Sequence, residues 1–139
     1  MEQSIKQGTR KEITLAEPLD LTGTKPVSML FNGKEFRYTK RDGWKALYED
    51  LATELYKIAP QTMQKLAARQ MEFFISDEPA LWSTENRLPA QNYEDEWWSE
   101  IGKNVFIYTK NNTNAKLERM RGLLEACKQN PAETIIILY

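Results

Sequence analysis

Histidine does not occur in these 139 residues, and Cys127 is the sole cysteine. The first absence removes Ser-His and Cys-His nucleophile activation, histidine metal ligation and histidine proton transfer. The second leaves no internal disulfide and no usual zinc framework, and it fits a reducing, cytoplasmic setting. No apolar run approaches the roughly 20 residues that cross a bilayer, and residues 1–10 lack the apolar centre of a secretory signal. A formal net charge of −1 supplies no global field toward nucleic acid or anionic lipid, so binding either one needs a local basic patch. No glycine-rich phosphate loop of the P-loop or dinucleotide kind is present. Carboxylate catalysis needs acids that face a shared space. Glu94, Asp95, Glu96 and Glu100 are neighbours only along the chain, and the strand-like stretches 105–109 and 134–138 carry no acid. The expectation is a non-enzymatic domain with no catalytic residue, no metal and no cofactor, away from membranes.

What is present suits one globular domain: 41% hydrophobic and 28% charged residues, in a chain long enough for one core. Residues 103–127 form the organising stretch. A β-branched and aromatic run at 105–109 passes through the corner Lys110, Asn111, Asn112 into an amphipathic helix with Leu117, Met120, Leu123, Leu124 and Cys127 on its apolar side. Asn112 or Thr113 is suited to cap that helix.

Taken in order, residues 1–24 read as an N-terminal tail or linker, with Ile13 and Leu15 alternating like an edge strand and Leu19 and Leu21 tucking against the core. Residues 25–139 form the domain. Asn32-Gly33 between two strand-like runs predicts a type I′ hairpin that pairs Phe31 with Lys34, Met29 with Phe36 and Val27 with Tyr38. Val27, Met29, Phe31, Phe36 and Tyr38 then share the buried face. Asp42 is the expected cap of a long helix bearing Trp44, Leu47, Tyr48, Leu51, Leu55 and Ile58 at helical spacing. Pro60 ends it, and a shorter helix follows with Met63 and Leu66 inward. Residues 71–76 lean toward a strand, 77–100 read as a long irregular loop, and 134–139 as an interior strand. The fold class is α+β: a β-hairpin, two helices and a β–α–β unit whose strands 105–109 and 134–138 run parallel in a mixed sheet covered on one side by helices.

The pieces Lys25-Pro26-Val27-Ser28, Asn32-Gly33-Lys34-Glu35-Phe36, Trp44 opening a long helix, Ile107-Tyr108-Thr109 and Asn112-Thr113-Asn114 are spread over residues 25–139. Together they resemble a small C-terminal accessory domain of bacterial restriction- and defence-associated proteins of the ParB-like, unknown-function group. The resemblance implies a DNA-proximal setting and carries over no catalytic residue.

Two basic clusters are candidates for phosphate contact, in nucleic acid or a nucleotide. One is the corner Lys110, Asn111, Asn112, Thr113 and Asn114, with Lys103, Lys116, Arg119 and Arg121 near it in sequence; helix N–H groups, amides and a lysine suit an anion there. The other is Arg37, Lys40 and Arg41, with Lys45 on the following helix turn. Tyr38 and Trp44 lie among these cations, but their spacing commits them to the core. A third candidate, Trp82, Arg87, Trp97 and Trp98 beside Tyr93 and acidic residues, suits a protein partner as an alternative.

Overall fold

Asn32 and Gly33 hold φ of 52° and 78°, the paired positive values of a type I′ turn, and the strands on either side pair as their alternation requires. The computed structural model describes residues 11–17, 20–68, 81–83, 98–102, 105–109 and 112–139. Strand β2 (Pro26–Phe31) meets β3 (Lys34–Arg37) with Phe31 opposite Lys34 and Met29 opposite Phe36. The Tyr38 N–H extends the ladder to the Val27 carbonyl at 2.8 Å. Val27, Met29, Phe31 and Tyr38 are buried and Phe36 is half-buried, as expected of that face.

Helix α1 (Gly43–Ile58) buries Trp44, Leu47, Tyr48, Leu51 and Leu55 along one stripe, while Ile58 at its end is exposed. Its start differs from the expected Asp42 cap. The Asp42 carboxylate accepts from the Thr39 N–H at 2.7 Å instead of from the helix, and Gly43 opens the helix at φ 63°. That conformation strains any residue with a Cβ. Pro60 then stops α1 and starts α2 (Pro60–Ala68), which buries Met63 and Leu66. Helix α3 (Thr113–Ala126) buries Leu117, Met120, Leu123, Leu124 and, just beyond it, Cys127. Burial pushes the Cys127 thiol up to about 11, which leaves it inert near neutrality.

The α+β class stands, but its sheet is not the expected one. Among the described residues, two antiparallel sheets replace a single mixed sheet. The first has the order β1-β7-β2-β3, where β1 is Lys11–Thr14 and β7 is Ile135–Leu138. The second has the order β4-β6-β5, with β4 at Leu81–Ser83, β5 at Trp98–Gly102 and β6 at Val105–Tyr108. The chain therefore leaves β6 in one sheet, passes through α3 and a 3-10 turn (Pro131–Glu133), and joins the other sheet, so β6 and β7 are not parallel partners. The physical reason lies in the partners each strand finds. The isoleucine run of β7 is flanked by β1 and β2, both antiparallel to it, and β6 by β4 and β5.

Before Lys25 the expected edge strand is present as β1, with Ile13, Leu15 and Leu21 buried, while Leu19 lies outside the described residues. One further expectation is corrected by the pairings. The stretch 77–100 is not one irregular loop, because it contributes β4 and the first part of β5. The expected strand at 71–76 lies outside the described residues.

Helix α1 packs against β2 of one sheet, β5 of the other, and α2 and α3. At the β5 contact Gly102 lies against the ring of Tyr56, where an added Cβ would meet three ring carbons at 2.5 Å. The Tyr56 hydroxyl also accepts from Gln64 Nε2 at 2.9 Å, which resists displacement of the ring. Gly102→Ala is therefore expected to destabilise the fold by about 1–3 kcal/mol, as overpacking does. Urea denaturation measures this, and an unchanged midpoint would contradict the contact.

Candidate functional site

The segment Leu21–Lys25 is short, polar and held at both ends. Asn114, in the first turn of α3, accepts from the Leu21 N–H through Oδ1 at 3.0 Å and donates through Nδ2 to Asp20 at 2.9 Å and Thr22 at 3.1 Å. The Trp44 indole N–H, from the first turn of α1, donates to the Thr24 carbonyl at 2.9 Å. One loop thus bridges the starts of two helices. Between the three pieces lies an open cavity of about 580 Å³. Lys25, Arg41, Lys45 and Lys116 lie on its walls with Asn112 and Thr113 of the α3 start; Thr22, Gly23, Thr24, Asp42, Gly43 and Trp44 complete it.

Burial divides these residues. Lys25, Arg41 and Lys45 are exposed, whereas Lys116 is 7% exposed and Trp44 6%. Three of these cations are therefore exposed and one is buried. Lys116 Nζ is 5.9 Å from the centre of the Tyr48 ring. Burial, and then the charge of Lys45, holds Lys116 down at about 8, with Glu49 opposing the shift. Glu49 itself accepts a hydrogen bond from the Ser99 hydroxyl of β5. The two helix starts add N–H groups and positive dipole ends on the same side. Asn112 caps α3 as expected, its Oδ1 accepting from the Ala115 N–H at 2.8 Å.

Of the residues expected to contact phosphate, Arg41, Asn112 and Thr113 line the cavity. Asn114 stands beside it as a brace for the loop. Arg37 and Lys40 lie elsewhere: Arg37 is 3.4 Å from Glu35, and Lys40 sits 5.3 Å above the Tyr139 ring. Lys110 and Asn111 lie outside the described residues, as do Arg87 and Trp97. Trp82 and Trp98 fall within β4 and β5. Arg121 is structural, donating through Nε to the Leu15 carbonyl at 2.6 Å and through Nη2 to that of Glu17 at 3.0 Å.

The cavity residues that the sequence did not mark for phosphate contact include Lys25 and the Thr22–Gly23–Thr24 turn. Lys45 belonged to the second basic cluster and Lys116 stood near the first in sequence, and only the packing of α1 on α3 joins them. Among the described residues no group of three or more His, Cys, Asp or Glu is placed to hold a metal ion. Among the same residues no helix is long and apolar enough to cross a membrane. No protein-family model matches the chain, and no curated protein or solved structure matches it.

The brace gives a direct test. Asp20 is held down at about 2, first by the Asn114 side chain and then by Thr22. A carboxylate shifted in that sense favours the folded state above its unfolded value near 3.8, and the contribution is lost as pH falls through about 2. Asn114→Ala should return Asp20 toward its ordinary range, as read by an NMR titration of the carboxyl carbon. It should also destabilise the fold by about 1–2 kcal/mol through the lost hydrogen bonds. An unmoved Asp20 titration would contradict the bracing role.

Proposed function

We propose that this chain is a non-enzymatic binding module for a phosphate-bearing ligand, nucleic acid or nucleotide, held in the cavity between the starts of α1 and α3. One observation carries the reading: four cations, one of them buried, converge with two helix starts on one open cavity in a chain whose net charge is −1. Helix starts and flanking cations are a standard setting for anions, and about 580 Å³ suits a small ligand or one end of a larger one. The resemblance to accessory domains of restriction- and defence-associated proteins implies a DNA-proximal setting for the same activity, and a single cysteine fits a reducing cytoplasm.

Lys116 supplies the physical reason for expecting an anion. Its lowered value means that the folded protein disfavours the charged amine, chiefly through desolvation. The unfolded chain therefore holds this proton more tightly, so the penalty is fully present below about 8 and is relieved as pH rises from there toward 10.5. An entering anion offsets the penalty directly. Lys116→Met should accordingly raise the thermal midpoint at neutral pH while weakening inorganic phosphate binding by about tenfold or more, the effect of losing a charge-assisted hydrogen bond. Calorimetric titration with phosphate should also show affinity falling as pH rises through about 8 and falling with added salt. Undiminished phosphate binding by Lys116→Met, or by Lys45→Gln, would overturn the proposal.

A further inference from the structure

The isoleucine run of β7 has a second face that neither the core nor the phosphate cavity uses. Ile136 and Leu138 are buried in the core, whereas Ile135 and Ile137 on the opposite face are half-buried, beside Leu30 of β2 at 41% exposed. An antiparallel sheet with one open face normally carries polar residues there, and a strand apolar on both sides suits cover on both. These three side chains, with Glu12, Glu35 and the buried Ser28, line a hollow of about 390 Å³. None of the six lines the phosphate cavity.

We infer that this face takes a second copy of the chain, sheet against sheet, about a two-fold axis parallel to the strands. The strand register carries the choice of occupant. Across the order β1-β7-β2-β3 the outward residues form two rows, Glu12, Ile137, Ser28, Arg37 and Thr14, Ile135, Leu30, Glu35. A two-fold passing between β7 and β2 reverses the strand order and keeps each row opposite itself. Glu12 of one copy then meets Arg37 of the second copy, and the reverse pair forms by symmetry. In the same way Ile137 meets the small Ser28, Ile135 meets Leu30, and the Thr14 hydroxyl meets Glu35. Aligned packing of this kind is ordinary for two sheets.

Within one copy Glu12 and Arg37 lie at opposite edges of the sheet, three strand spacings or about 14 Å apart, too far to pair. Among the described residues Glu12 has no ion pair, and Arg37 has Glu35 at 3.4 Å in an exposed pair of little worth. A basic partner would suit Glu12 and Glu35 but would meet Arg37 with like charge, whereas the chain itself answers all three. Four strands at about 4.8 Å spacing make a face under about 20 Å wide, short of the roughly 800 Å² per partner of a standard interface. The dimer is therefore a weak one that forms as concentration rises.

Sedimentation velocity of the full chain should be run from about 10 μM to 1 mM, the range of a weak complex. The weight-average mass is expected to climb from 16.2 kDa toward twice that value. Leu30→Glu, at an exposed position, should keep its thermal midpoint and stay at 16.2 kDa. Arg37→Glu and Glu12→Arg should each weaken self-association by about tenfold or more through like-charge contacts. Mixed in equal amounts, these two variants should recover the dimer, since each then meets the opposite charge at both pairs. A constant 16.2 kDa for the unaltered chain would overturn the inference. So would a dimer indifferent to Leu30→Glu, or a mixture that stays monomeric where the unaltered chain dimerises.

Discussion

The packing of α1 against α3 is the constraint on which the rest of the molecule depends. Leu47, Tyr48, Leu51 and Leu55 make α1 apolar along a stripe that is fully buried, and the same helix touches β2, β5, α2 and α3. Each such side chain contributes on the order of 1.5–3 kcal/mol when removed from water, so the stripe fixes where α1 lies. Leu117, Met120 and Leu124 do the same for α3. With both faces committed, the two helix starts fall beside one another, and a loop tied down by Asn114 and Trp44 closes the third side. The cavity is a consequence of core packing.

That packing also sets the electrostatics. Lys116 is one residue from Leu117 on α3, so burying the apolar face draws the base of its side chain inward with it. The amine ends over the Tyr48 ring, close enough to Lys45 for the two charges to oppose one another. Glu49 offsets part of this while engaged by Ser99. Lys116 is thus a cation that the folded state disfavours, with a second cation beside it and a carboxylate opposing the shift.

Much of the local structure was legible in the sequence because its causes are local. Asn32-Gly33 specifies a hairpin through backbone conformation alone, the α1 and α3 stripes follow from helical spacing, and Asn112 caps α3 through its own side chain. What failed to show had non-local causes. The split into two sheets depends on which strand the isoleucines of β7 find as partners, and β1 is only four residues long. β4, at three residues, is too short to carry a periodic signal. The site was half legible. Arg41, Asn112 and Thr113 could be named from cap chemistry and charge, but Lys116 looked like part of a solvated basic face, and Asn114 like a ligand contact instead of a brace. Lys25 and the Thr22–Gly23–Thr24 turn gave no signal, since their place depends on bonds that span about 20 to 90 residues of chain.

The most direct measurement is a backbone amide NMR titration of the whole chain with inorganic phosphate. The account predicts saturable shifts concentrated at residues 22–25, 41–45 and 112–116, with Lys116 and Lys45 among the largest. Shifts centred on the outer strand β3, around Arg37, or spread without saturation over the surface would contradict it.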